Sequence, residues 1–373
     1  MDPLALTPPV LSSFQITKSF NTNQASLTSL SFDDTGDLCI TSAQDDSLNV
    51  YDCKEGRLRT TLFSKRYGTG LTRFTHQASG ILHASTKEDD SLRYLSLHDN
   101  KYIRYFQGHK DRVISLEISP LDDQLISASL DGTVRLWDLR SPICEGLINT
   151  NGRPIAAIDN AGLVFGVGLN SEVLRLYDIR SFDTGPFATW AIPDYRPFHT
   201  TTTSTTKPYW TSLKFTNDGQ HIIIATSTGT HYVVHAFEGH VVKRLSGPDA
   251  YINLHYADAD ALSPSSPSPS CGEEISVSPD ARYVFSGGTR DGVVRVWDLL
   301  KDVNVEDSLL PPPAASDCVH YPIVELQSHS STAATHPSST KTGINVLGFN
   351  PALMMMVSGG KELDFWQPID ISS

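Results

Sequence analysis

The 373-residue chain predicts an all-β protein, a β-propeller of seven four-stranded blades closed by a strand near its N-terminus. Three observations predict it. A complete blade signature lies between Gly108 and Asp138. Degenerate copies of its last two residues recur along the chain at blade-like intervals. A strand-like segment precedes the first copy, while the last copy leaves too few residues to finish a blade.

The elements follow in chain order. Residues Phe14-Gln15-Ile16-Thr17-Lys18-Ser19-Phe20 alternate as a half-buried strand does, yet lie ahead of the first blade. This strand is assigned to the last blade, where it removes open sheet edges that invite pairing with other chains. Blade one ends at Tyr51-Asp52 and blade two at Leu95-Ser96. Blade three carries the full set. Gly108-His109 opens it, Ser127-Ala128-Ser129-Leu130-Asp131-Gly132 runs through its middle, and Trp137-Asp138 closes it. That is the WD-repeat pattern, one blade per repeat. Later anchors are Tyr177-Asp178, His235-Ala236, Trp297-Asp298 and Trp366-Gln367. Successive anchors stand 44, 42, 40, 58, 62 and 69 residues apart. The first three match the ~40–45-residue repeat, and the others imply long insertions.

Within each repeat an alternating strand is followed by a polar turn and a near-continuous apolar run. Leu213-Lys214-Phe215, Thr216-Asn217-Asp218-Gly219 and Ile222-Ile223-Ile224-Ala225 are one example. The continuous run reads as a strand covered on both faces. A single ring therefore spans residues 14–368. Two insertions interrupt it. Residues 257–272 are Ser/Pro-rich, and Ser263, Ser266 and Ser268 each precede proline there as candidate phosphorylation sites. Residues 302–341 form a Pro/Ser/Thr-rich second insertion. Its His320, His329 and His336 lack cysteine or carboxylate companions at ligand spacing, so no metal is assigned.

Composition narrows the function. The formal net charge of -13 argues against broad affinity for nucleic acid, which needs clustered Lys and Arg. Five scattered cysteines without a CxxC pair read as free thiols. No apolar run approaches the ~18 residues of a membrane span, and the N-terminus does not read as a secretory leader. Gly166-Val167-Gly168 lacks the third glycine of a dinucleotide site, and no phosphate-binding loop is present. No cofactor is expected, and the chain does not read as an enzyme.

His109, Ser127 or Ser129, Asp131 and Trp137 are expected to form a structural hydrogen-bonded chain rather than a catalytic set. Partner docking is expected on the face that gathers the turns between second and third strands. Candidates are Asp45, Glu88, Leu130, Asn170, Arg290 and Lys361 in those turns, with Arg66, Tyr67 and Arg112 near the same rim.

Segments flanking blade three go beyond a generic repeat. Arg93-Tyr94-Leu95-Ser96-Leu97-His98-Asp99-Asn100-Lys101-Tyr102 runs into Ile103-Arg104-Tyr105-Phe106-Gln107-Gly108-His109. Leu136-Trp137-Asp138-Leu139-Arg140-Ser141-Pro142 is followed by Gly152-Arg153-Pro154-Ile155, and then by Leu176-Tyr177-Asp178-Ile179-Arg180-Ser181-Phe182-Asp183-Thr184-Gly185-Pro186-Phe187. Over residues 25–187 the chain resembles the Swd-two family, the WD-repeat subunit of the COMPASS histone methyltransferase complex. The resemblance is looser beyond, where the insertions depart from the family pattern. It implies a non-catalytic nuclear scaffold, monomeric within a hetero-complex that methylates the fourth lysine of histone H3. It implies as partners the methyltransferase catalytic subunit and factors of a phosphatase-containing complex for transcription termination and mRNA 3′-end processing. The rival reading is a WD-repeat adaptor of an unrelated complex, such as an E3 ubiquitin ligase.

Overall fold

A computed structural model describes residues 5–192, 209–227, 229–247, 273–287, 292–301, 319–328 and 343–369. Seven sheets, antiparallel except for one added edge strand, stand around one axis. Counted outward from the axis, each blade has a first to a fourth strand, in sequence order in all but blade seven, whose fourth strand comes from the N-terminal side. Blades one to four cover residues 27–63, 72–106, 113–149 and 154–191. Blade five covers 210–245, blade six 275–298 with 324–327, and blade seven 346–368 with Phe14–Phe20.

The closing strand sits where the alternation placed it. Phe14–Phe20 pairs antiparallel with Leu363–Pro368, from Phe14 opposite Pro368 to Phe20 opposite Leu363. A short helix, Pro8–Ser12, precedes it and was missed by sequence reasoning. The helix buries Val10 and Leu11 in the seam between blades six and seven.

The core is the set of seams between blades. Seven apolar clusters are found, each shared by two neighbouring blades. Second strands are buried almost throughout, as in Gln124–Ser129 and His221–Thr226. That is why they read as continuous apolar runs: neighbouring blades cover both of their faces. Trp137, Trp297 and Trp366 are all 2% exposed or less and lie at the outer end of three seams. Short polar ties join the innermost strands across the seams. Ser115 Oγ donates to the Ala156 carbonyl at 2.6 Å and accepts its N–H at 3.2 Å, and Ser276 Oγ accepts the Phe349 N–H at 3.0 Å.

Two expectations need correction. In blade five the pairing of His221 with His235 makes Val234, not His235, the equivalent of Trp137. The Ala236 N–H bonds the Gln220 carbonyl just as the Leu139 N–H bonds that of Asp123, which fixes the one-residue shift. Residues 302–341 are not one uninterrupted insertion. Val324–Gln327 inside that range is the fourth strand of blade six. Val319–His320 pairs parallel with Arg244 and Leu245 as a fifth strand of blade five. Residues 257–272, with Ser263, Ser266 and Ser268, lie outside the described residues, as do Arg290, His329 and His336.

Candidate functional site: the docking face and its polar braces

Each blade is a meander, so its second-to-third turn and its connection to the next blade share one face, here the upper face. The lower face holds the first-to-second and third-to-fourth connections.

The polar set of blade three is assembled inside the sheet. His109 Nε2 lies 2.8 Å from Ser127 Oγ, and Trp137 Nε1 donates to the same hydroxyl at 2.9 Å. On the other side of the ring His109 Nδ1 lies 3.2 Å from Asp131 Oδ2 and 3.1 Å from Thr133 Oγ1. Asp131 also accepts the N–H groups of Lys110 and Thr133, both at 2.9 Å. Strand register separates the two serines. Ser127 joins the indole, whereas Ser129 accepts the Asp131 N–H and donates to the Asp111 carbonyl. Burial outweighs the nearby carboxylate and lowers the His109 pKa. Burial would raise the Asp131 pKa, but the hydrogen bonds from Thr133 and Lys110 outweigh it and hold the carboxyl ionised. A neutral imidazole between a serine and a carboxylate has the outline of a hydrolase triad. Here the serine hydroxyl already accepts from the indole and is fully buried, so no substrate reaches it.

Other blades keep the brace with other atoms. Blade seven retains the indole half, Trp366 Nε1 to Ser358 Oγ at 2.8 Å. In blade six Trp297 Nε1 donates to the His320 carbonyl at 3.2 Å, and the equivalent serine, Ser286, bonds His231 Nε2 of blade five at 2.8 Å. Blade two has His83 at the serine position, and blade one links Tyr51 to Thr22 through their hydroxyls at 3.1 Å. Burial pushes the pKa of both His83 and His231 down to about 4.

The upper face brings together some of the candidate docking residues. At the seam of blades one and two, Arg66 Nε lies 3.1 Å from both Glu88 oxygens, and its guanidinium is 5.1 Å from the Tyr67 ring centre. Arg112 and Leu130 meet on blade three, where the Leu130 N–H bonds the Arg112 carbonyl at 3.0 Å. Asp45, Asn170 and Lys361 sit on separate blades. Asp45 is spent on its own turn, accepting the N–H groups of Gln24 and Ser47. Asn170 adopts a positive φ of 52° and donates to the Asn151 carbonyl at 2.6 Å. Lys361 is exposed.

Sequence reasoning missed the residues that organise the blade one–two rim. The Arg93 guanidinium lies 3.7 Å from the Tyr67 ring centre and 5.5 Å from that of Tyr105, while Asp89 holds it at 2.8 and 3.0 Å. Tyr102 stands edge-on to Tyr67 at 5.4 Å and shares a 2.9 Å hydrogen bond with Ser64. The aromatic spacing of Tyr102 and Tyr105 in an exposed outer strand was the available signal. Stacked arginine and tyrosine with few free torsions make a rigid contact surface.

The central channel, about 310 Å³, holds four charged side chains. They form two pairs. Arg73 Nη2 meets Glu273 Oε1 at 2.6 Å, and Lys214 Nζ meets Glu117 Oε1 at 2.8 Å. Glu273 also bonds Ser29, so this pair ties blades six, one and two. Glu117 accepts the Ile158 N–H at 3.0 Å, tying blades three, four and five. Burial would raise the Glu273 pKa, but Arg73 outweighs it and keeps the carboxyl ionised. The thiols of Cys39 and Cys53 are buried, which raises both pKa values, Cys53 to about 12. Among the described residues no group of three potential metal ligands occurs, and no helix is long and apolar enough to cross a membrane.

Known proteins are similar to this chain in sequence. The family model for the WD domain, G-beta repeat, matches residues 14–52, 100–138 and 273–298. The Drosophila melanogaster protein named "WD repeat-containing protein 82" is 38% identical over 365 residues, 98% of both chains. The Schizosaccharomyces pombe "Set1 complex component swd2" is 34% identical over 98% of this chain and 100% of its own length. The Saccharomyces cerevisiae "COMPASS component SWD2" is 29% identical, with 98% and 99% covered. With 34–38% identity over nearly the whole of both chains, this chain belongs to the Swd2 family of WD-repeat proteins.

Proposed function

We propose that this chain is a non-catalytic scaffold subunit of a nuclear COMPASS-type complex that methylates the fourth lysine of histone H3. The observation that carries the reading is its near-full-length relation to a protein named as a Set1 complex component. The propeller supports it, because a rigid ring positions its loops as binding surfaces. Both channel carboxylates are engaged in ion pairs, which fits a scaffold better than a hydrolase. The Arg66–Tyr67–Glu88 rim, organised by Arg93, is the proposed contact for the methyltransferase catalytic subunit. Membership of a phosphatase-containing termination and 3′-end processing complex belongs to the same proposal.

The test is affinity purification of the tagged full-length chain from native nuclei. The methyltransferase should co-purify, and Arg66→Ala with Tyr67→Ala should reduce its recovery about tenfold, the loss of one interface hot spot. Absence of both the methyltransferase and the 3′-end factors defeats the reading. Recovery of a ubiquitin ligase core in their place favours the adaptor alternative.

A further inference from the structure

The upper face was the expected docking face, yet the exposed apolar side chains gather on the lower one. Leu130, 38% exposed, is the one large exposed hydrophobic residue in an upper-face connection among the described residues. The lower-face connections of blades three to five hold five: Leu121 at 69%, Ile143 at 70%, Leu163 at 47%, Phe187 at 62% and Phe237 at 71%. They form an arc. A Cβ built on Gly162 would lie 3.4 Å from Leu121 of the preceding blade, which sets Leu121 beside Leu163. Leu163 and Phe187 line one cavity of about 480 Å³. Gly239, in the turn that carries Phe237, packs directly on Trp190 in the outer strand of blade four.

The arc is also acidic. Its connections and the strand ends that enter them carry Asp122, Asp123, Asp138, Asp159, Asp178 and Asp183, followed by Asp218 and Glu238. Asp138 is buried and spent on Arg140, 2.6 Å away, so seven acids stand against Arg180. The turns themselves are held fast. Asn160 Nδ2 donates to Asn217 Oδ1 at 2.8 Å, and Asn217 Nδ2 donates to the Pro279 carbonyl at 2.9 Å, linking blades four, five and six. Rigid turns that expose apolar tips amid carboxylates cost little entropy to dock against. Contiguous apolar surface rimmed by charge is the mark of an interaction site.

We infer that the lower face of blades three to five docks a basic, apolar segment of a partner protein, its apolar residues on the Leu163–Phe187–Phe237 arc and its Lys or Arg residues against the surrounding carboxylates. Charge complementarity selects this occupant: an acidic segment or a nucleic acid would meet like charge. A second copy of this chain, itself strongly acidic, would meet like charge too. The residues flanking 193–208 and 248–272 lie on the upper face, so neither interval starts or ends beside the arc. This site is separate from the blade one–two rim and does not depend on which complex the chain serves.

The test places the photo-crosslinking residue benzoylphenylalanine at Phe187, at Phe237 and, as an upper-face control, at Leu130. The full-length chain is irradiated within its native nuclear complex, and the cross-linked peptide is sequenced. Phe187 and Phe237 should mark the same partner segment, rich in Lys or Arg and apolar residues, and Leu130 should not. The double variant Phe187→Ser, Phe237→Ser should lower recovery of that partner about tenfold at an unchanged melting temperature. Cross-links to an acidic segment, to residues 302–318 of this chain, to a second copy or to nucleic acid would overturn the inference. So would the absence of protein cross-links from both lower-face positions.

Discussion

His231 of blade five crosses the seam to hydrogen-bond Ser286 of blade six, its Nε2 2.8 Å from the serine hydroxyl. Ser286 occupies the position that in blade three receives the tryptophan indole. A brace that elsewhere closes within one blade has here become a bond between two. The imidazole is fully buried, which favours its neutral form.

That burial makes the ring sensitive to acid. Burial depresses the His231 pKa from 6.5 to about 4, so its contribution to stability is complete above pH 6.5 and is lost as pH falls toward 4. The loss should approach about 3 kcal/mol at the acid end. Urea midpoints between pH 7.5 and pH 4, each compared with His231→Gln, isolate it. Glutamine donates to Ser286 but does not titrate, so its midpoint should fall less steeply with acid; equal slopes refute the assignment.

Asp131 holds together four donors of blade three, the fourth being the Thr133 hydroxyl at 2.6 Å. Asp131→Ala strips the Lys110 and Thr133 N–H groups and His109 of their acceptor. A loss of about 2 kcal/mol is expected for the broken buried network. Thermal melting checks this, and an unshifted midpoint would remove Asp131 from the brace.

The channel pair Arg73–Glu273 should behave asymmetrically. Arg73→Met leaves a buried carboxylate without its cation and should cost about 3–5 kcal/mol. Glu273→Gln in the same background should restore part of it, because the amide tolerates burial without a countercharge. A double-mutant cycle in denaturant measures the coupling; additive effects would show that the two side chains do not stabilise each other.

Trp137 and Trp366 allow a comparison of one brace in two settings. Trp137→Phe should cost more than Trp366→Phe, since Ser127 also serves His109 while Ser358 serves the indole alone among the described hydrogen bonds. A difference of about 1 kcal/mol is expected from equilibrium unfolding. The reverse order would mean that packing of the rings, rather than their N–H groups, sets the cost.

Much of the ring was legible because propeller blades repeat a strong local pattern. Phe14–Phe20 could be given to the last blade, since alternation marks a strand and Trp366 has too little chain after it for another. Ser127 and Ser129 could not be told apart. They lie two residues apart in one strand and point the same way, and only pairing across to Arg135 shows which one sits beneath the indole. Val324–Gln327 escaped notice because four residues are too short for a period to show within a Ser-, Thr- and His-rich stretch. In blade five the tryptophan is replaced by Val234, which bears no motif, and the neighbouring histidine drew the alignment off by one. Arg93 and Tyr67 lie 26 positions apart in sequence, and nothing in either local segment announces that they stack. The lower-face arc is equally hidden, because five single apolar residues in five turns look like ordinary loop composition until the ring gathers them.

The pairing of Phe14–Phe20 with Leu363–Pro368 also sets an order of events in the cell. Ile16 leaves the ribosome 350 residues before its partner Trp366. At ~5–20 residues per second that is roughly 20 to 70 s during which the first-made strand has nothing to pair with. The unfinished ring meanwhile carries a bare β-edge, a surface on which nascent chains aggregate. Leu363–Pro368 is therefore the latch. Until it is made the earlier blades need shelter, and any pause in translation beyond blade six prolongs that exposure.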